Sequence, residues 1–223
     1  MNDELENNFI NWAKNLIGTN IIKNEKEPHG DEGVVYKIEA GKGNYFLKIK
    51  FGSISSKERD RLEWFQGKVP VPSIIGFTTK DNSRALLMTA LEGKNLAVLC
   101  KEWPVEKVIE KIVDALHTFH GISTESWPFD ESDTSGVLVH GDACLPNFIF
   151  KGDQFSGYID LGDSQLASPE IDLRAAIWSL QYNLGAGHGV KFLERYGYEN
   201  TTEGMVENLR LQYEDYQRAH GFL

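Results

Sequence analysis

His140-Gly141-Asp142-Ala143-Cys144-Leu145-Pro146-Asn147, followed by the apolar run Phe148-Ile149-Phe150 and then by Tyr158-Ile159-Asp160-Leu161-Gly162, decides how the rest of the chain is read. Asn147 comes five positions after Asp142, and Asp160 thirteen after Asn147. The spacing predicts short strands near 137–139, 147–151 and 156–160. Each strand–loop–strand passage then returns a polar side chain to the same edge, so Asp142, Asn147 and Asp160 can converge. Hard oxygen donors gathered in this way suit Mg2+, which takes few protein ligands and completes its shell with phosphate oxygens. Asp142 is left free to accept a hydroxyl proton. A single Asp or Asn in such a place commonly closes a turn or caps a helix. Three of them in this order, with His140 and two glycines beside them, point to chemistry.

Two alternatives attach to the same segment. His140, Asp142, Cys144 and Asp160 could be the ligand set of a metallohydrolase, although only one of the six histidines lies in the cluster. His140 could also be the general base, a role histidine often fills, rather than a support for the loop.

Outward from this core, the N-terminal part reads as β-rich. Residues 4–17 carry Leu5, Phe9, Trp12 and Leu16 at helical spacing. Strands are expected at 20–25, 34–39 and 44–50, with Gly41-Lys42-Gly43-Asn44 as a hairpin turn. A helix capped by Ser55 or Ser56 runs to residue 66, and strands follow near 73–78 and 84–89. Beyond Gly93 the pattern turns helical, at 105–120, 170–184, 189–196 and 203–219, while 121–136 is a polar loop. A β-rich part followed by a helical part is the order of an α+β chain of two lobes.

Composition sets outer limits. The 223 residues suffice for one compact bilobal unit with a substantial core. Lys+Arg is 23 and Asp+Glu is 33, for a net charge of −10. Such a surface repels phosphate backbones and anionic lipid, so neither nucleic acid nor membrane is an expected partner. Excess acid mainly favours solubility, and it also suits a cationic ligand. Cys100 and Cys144 form no metal-ligand spacing, and the acidic N-terminus is unlike a signal peptide, so a cytoplasmic location is expected.

The His140–Asn147 loop with Asp160 resembles the catalytic loop and metal-binding Asp of the protein-kinase-like superfamily. Its wording is closest to the aminoglycoside phosphotransferases, the 3'-phosphotransferases above all. The resemblance runs over roughly residues 30–185. It implies an α+β, bilobal protein-kinase-like fold: a β-rich nucleotide-binding lobe at 1–92 and a mainly helical catalytic lobe at 93–223. Tyr45-Phe46-Leu47-Lys48-Ile49 is similar to the family's strand with a phosphate-contacting Lys, which makes Glu58 the partner orienting Lys48. Gly30 and Gly33 fall where the family covers the phosphates, although Asp31 and Glu32 between them depart from the pattern. Ala90 and Leu91 fall at the hinge that offers backbone groups to a purine.

The resemblance further implies Asn147 and Asp160 as holders of Mg2+, Asp142 as the catalytic residue, and His140 and Asp172 as supports. Glu214 and Asp215 are similar to an acidic last helix that meets cationic drugs. The implied activity is transfer of the γ-phosphoryl group of ATP or GTP to a hydroxyl of an aminoglycoside-like substrate, which confers antibiotic resistance where that substrate is a drug. Phosphorylation of another small hydroxylated metabolite is the first alternative. A non-catalytic nucleotide-binding module with a protein partner is the second. His120 and His140 are only 20 residues apart, so most of the helical insertion with which the family builds its acceptor pocket is missing. The acceptor site is then more open, or is completed by another subunit or by the C-terminal helices.

Overall fold

The computed structural model describes residues 2–18, 21–27, 33–129 and 136–221. Its contacts divide the chain into two compact units, Met1–Gln66 with Val71–Leu91, and Gly67–Pro70 with Glu92–Leu223. The segment Gly67–Pro70, expected within a continuous 1–92 lobe, groups with the second unit. There Tyr158 N donates to Pro70 O at 3.0 Å.

The first unit comprises helix α1 (Asn2–Ile17), strands β1 (Ile21–Lys26), β2 (Val34–Ala40) and β3 (Gly43–Lys50), helix α2 (Lys57–Phe65), and strands β4 (Ile74–Lys80) and β5 (Ser83–Thr89). The five strands form one antiparallel sheet in the order β1-β2-β3-β5-β4. The turn expected at Gly41–Asn44 is a two-residue connection, with Ala40 paired to Gly43. Alternation along β3 sends Tyr45, Leu47 and Ile49 into the core and Lys48 to the other face. α1 covers the core face with Phe9, Ile10, Ala13 and Ile17, against Tyr36, Ile38, Leu47, Ile49 and Leu87. The helix is therefore rotated from the expected stripe. Trp12 only borders the core and Leu16 is 46% exposed, lying instead beside Gly76 of β4.

The second unit contains β6 (Lys94–Asn95), α3 (Leu96–Leu99), α4 (Val105–His120), β7 (Val137–Val139), β8 (Phe148–Lys151), β9 (Gln154–Tyr158), β10 (Gln165–Ala167), α5 (Glu170–Leu184), α6 (Gly189–Tyr196) and α7 (Glu203–Ala219). β7 pairs with β10, and β6, β8 and β9 form a three-stranded sheet. α5 packs on α7 and α4 on α6. The expected apolar face of α4 is buried at Val108, Ile109, Ile112, Val113, Leu116 and Phe119. The strand expected at 147–151 starts one residue later, because Pro146 sits in a 3-10 turn over Leu145–Asn147. The strand expected at 156–160 stops at Tyr158, because Asp160 adopts φ 61° and ψ 56°, which no strand accommodates. Among the described residues no helix is long and apolar enough to cross a membrane.

Candidate active site

α5 is buried on several sides, and its two buried polar residues, Asp172 and Ser179, are seven positions apart. Seven residues are about two helical turns, so both point the same way. They face the His140–Asn147 loop. Asp172 Oδ2 accepts from His140 N at 2.7 Å, and its Oδ1 from Gly141 N at 2.9 Å. Ser179 Oγ accepts from Leu145 N at 2.9 Å. These loop amides have no strand partner, so α5 supplies acceptors that would otherwise have to come from water. Asp172 Oδ2 is also 2.9 Å from His120 Nε2, and His120 Nδ1 is 2.8 Å from the Tyr196 hydroxyl. Burial raises the Tyr196 hydroxyl to about 12, helped by the neighbouring Tyr198 and Asp172. It therefore stays protonated and able to donate to the imidazole.

His140 is fully buried. Its Nε2 lies 3.0 Å from Ile159 O, which can only accept, so the ring hydrogen is on Nε2. Its Nδ1 accepts from Asp142 N at 3.4 Å. Both nitrogens are thus committed to backbone on either side of the site, which makes His140 a brace between the Asp142 loop and the strand leading to Asp160. The general-base alternative has no open nitrogen to use.

Gly141 is demanded by this geometry. Its φ is 89°, and a Cβ there would sit 2.2 Å from Asp163 O. Gly141→Ala is expected to cost at least about 2 kcal/mol, from the left-handed backbone and the displaced carbonyl together, as measured by urea unfolding.

Asn147 and Asp142 meet directly. Asn147 Nδ2 donates to Asp142 O and to Asp142 Oδ2, both at 2.9 Å. Both amide hydrogens are thereby used, which leaves Asn147 Oδ1 as the oxygen that can face a cation. The backbone ties this residue to the third member, since Ile159 N donates to Asn147 O at 3.1 Å. The next residue is Asp160, exposed and in the left-handed region. Asp is one of the few non-glycine residues that enter this region readily, so the backbone can turn here while keeping a carboxylate. The donors at 147 and 160 are hard oxygens, one neutral and one anionic, and fit a small divalent cation that keeps other ligands on phosphate or water.

The metallohydrolase ligand set does not assemble. Among the described residues no three His, Cys, Asp or Glu side chains are grouped to hold a metal. His140 has no nitrogen to give, and Cys144 is buried with its thiol pushed well up by desolvation and by the charge of Asp142.

In the first unit, Lys48 lies on the central strand, opposite Val35 of β2 and Leu86 of β5, so it is no edge-strand lysine. Its Nζ pairs with Glu58 Oε1 from α2, and the side chains are only 27% and 14% exposed. Gly33 serves the sheet, since a Cβ there would lie 2.2 Å from Ile49 O. Gly30, Asp31 and Glu32 lie outside the described residues. Ala90 N already donates to Asn44 O at 2.8 Å, so a base edge would have to use the Ala90 carbonyl or Leu91 N. On α7, Glu214 is held by Arg210 and by Arg218 at 3.3 Å, and Asp215 by Arg218 at 3.0 Å. Residues 121–129, part of the expected polar loop, contain neither helix nor strand.

The sequence motifs missed Ser179, Ser164 and Tyr213. Ser164 Oγ donates to His140 O at 3.1 Å, and Tyr213 Oη lies 3.1 Å from Asp142 Oδ1. For Ser179 the signal was a polar residue within the apolar run of α5; Ser164, on a loop, and Tyr213, on the largely polar α7, had no such signal.

Residues 124–207 match the family model described as phosphotransferase enzyme family. An aminoglycoside 3'-phosphotransferase of Niallia circulans is 27% identical over 248 residues, covering 88% of this chain and 94% of that protein. One from Enterococcus faecalis is 25% identical, covering 68% and 77%. Among solved structures, an aminoglycoside-3'-phosphotransferase of type VIII superposes with a TM-score of 0.68 at 19% identity, over 87% of this chain and 92% of that one. The aminoglycoside phosphotransferase APH(3'')-Id of Streptomyces rimosus, in complex with ADP and streptomycin, gives 0.63 at 19% identity, over 82% and 89%. These likenesses show the fold, an α+β protein-kinase-like one.

Proposed function

We propose, for a chain that carries a phosphotransferase enzyme family domain over residues 124–207, that it transfers the γ-phosphoryl group of a nucleoside triphosphate to a hydroxyl of an aminoglycoside-like small molecule. The observation that carries this reading is the direct Asp142–Asn147 contact on a loop braced by Asp172, with the backbone of Asn147 tied to the residue before Asp160.

In this reading Asp142 orients the acceptor hydroxyl and takes its proton. The acceptor oxygen forms a bond to the γ-phosphorus as the bond from that phosphorus to the β–γ bridging oxygen breaks, and the nucleoside diphosphate leaves. Asn147 Oδ1 and Asp160 would hold Mg2+, which when bound offsets phosphate charge. Lys48, oriented by Glu58, contacts donor phosphates. The transition state is loose, so positioning and electrostatics carry most of the rate enhancement. Lys48→Met is expected to raise the nucleotide KM roughly 10–100-fold, the worth of a hydrogen bond to a charged group, as read from initial rates against nucleotide concentration.

A specific observation favours a second acceptor class. Glu214 and Asp215 are already paired with arginines of their own helix, so a polycationic ligand would have to displace two guanidinium groups to use them. A less charged hydroxylated metabolite would not. The test is a nucleotide-consumption screen with ATP and GTP against aminoglycosides, macrolides, choline-like alcohols and sugars, with Asp142→Ala as control. Turnover with aminoglycosides is the expected result. Turnover only with neutral alcohols moves the substrate to the second class, and nucleotide binding with no turnover at all removes the enzymatic reading in favour of a binding module.

A further inference from the structure

We infer that Tyr213 of α7 is a positioning residue for the reacting carboxylate, holding Asp142 Oδ1 by a hydrogen bond. The inference rests on the phosphoryl-transfer reading above for its kinetic consequences, but not for the contact itself. Tyr213 is 71 positions from Asp142 and lies beyond the residues 124–207 that match the family model.

Three observations converge on the contact. First, Tyr213 Oη is 3.1 Å from Asp142 Oδ1, whereas Asn147 Nδ2 is on Oδ2. The two donors thus grip different oxygens and fix the plane of the carboxylate. A carboxylate held at one oxygen can still swing about its Cβ–Cγ bond, but one held at both cannot. Second, the donor direction is determined. A carboxylate only accepts, so the tyrosine O–H goes to Asp142. Cys144 Sγ lies 3.3 Å from Tyr213 Oη, and its S–H also has the Ala175 carbonyl at 3.8 Å as an acceptor. Burial pushes both the Cys144 thiol and the Tyr213 hydroxyl upward, so each keeps its proton and the phenol stays a donor to Asp142. Third, the ring has little freedom. Tyr213 is 5% exposed, and Trp178 of α5 packs against it with centroids 5.4 Å apart.

Such a clamp matches the demands of the chemistry. A loose transition state gains little from a strong base and much from a correctly aimed acceptor oxygen. α7 would thereby contribute to alignment even where its acidic residues are occupied by Arg210 and Arg218.

Tyr213→Phe removes the hydroxyl and keeps the ring. Expected is a roughly tenfold fall in kcat, with the KM for nucleotide and acceptor within twofold of wild type and the thermal midpoint nearly unchanged. In an Asp142→Asn background the same change should cause no further loss, because the hydroxyl acts through Asp142. Losses that multiply in the double variant, or a wild-type kcat in Tyr213→Phe, overturn the inference. A readout independent of activity separates this from failure of the phosphoryl-transfer reading. With 13Cζ-labelled tyrosine, eight signals are available, and that of Tyr213 is assigned by its disappearance in Tyr213→Phe. Asp142→Asn should move that signal in the unliganded protein and leave those of distant tyrosines in place. A stationary Tyr213 signal overturns the inference even if the enzyme is fully active.

Discussion

Asp142→Ala is expected to lower kcat by about 10²–10⁴ while nucleotide affinity stays within a few-fold of wild type. The expected split follows from what Asp142 touches. Its carboxylate is held by Asn147 and Tyr213, and its backbone amide by His140, so the loop keeps its main-chain supports when the carboxylate is removed. The amides of His140, Gly141 and Leu145 remain on Asp172 and Ser179. Lys48 and Glu58, assigned to the donor phosphates, are on the first unit and are untouched. What is lost, in the proposed reaction, is the group that aims the acceptor hydroxyl and receives its proton. Titration calorimetry with a non-hydrolysable nucleotide, set beside steady-state kinetics, separates the two quantities. A near-wild-type kcat would remove Asp142 from the chemistry, and a lost nucleotide affinity would make it a structural residue.

The second large effect belongs to a residue that touches no reactant. Asp172→Leu is expected to cost about 3–5 kcal/mol, the usual consequence of removing one partner from a buried charged network. The side chain is fully buried and accepts from two backbone amides and the His120 ring. Removing it strands three polar groups out of reach of water, each at roughly 1–3 kcal/mol. For a chain of this size that lowers the thermal midpoint by roughly 6–20 °C. Asp215→Ala supplies the contrast. Asp215 is 75% exposed and, among the described residues, paired with Arg218 of its own helix, so its loss should stay within about 0.5 kcal/mol. Differential scanning calorimetry of the two variants beside wild type makes the comparison, and equal shifts would refute the account of Asp172 as the anchor of the loop.

The parts of the site legible in the sequence are those whose geometry is local. Asp142 and Asn147 lie on one tight loop, so five residues of spacing suffice to bring the amide onto the carboxylate. His140, a support by resemblance, makes both of its backbone contacts within the same stretch. The left-handed backbone of Asp160 is not legible in the sequence, because a strand pattern continues up to Ile159 and Asp tolerates either conformation. The stripe on α1 shows the same limit. Leu5, Phe9, Trp12 and Leu16 satisfy a helical period, yet Ile10, Ala13 and Ile17 satisfy a neighbouring one, and only the sheet beneath decided which face is buried.

The sequence by itself determined the Asp142–Asn147 loop and the order of β-rich and helical parts, since these depend on short-range spacing and on apolar periodicity, while the pairing of Lys48 with Glu58 was implied by the family resemblance. Beyond His140 and Asp172, which the resemblance implies as supports, tertiary structure decided what else holds the loop still. Ser179 and Tyr213 reach it from helices 34 and 71 residues downstream, and Glu214 and Asp215 are turned to Arg210 and Arg218. A buried hydrogen bond between distant residues leaves no periodic trace in either segment. Its identity is set by which helix faces pack together, a property of the assembled core rather than of any local stretch.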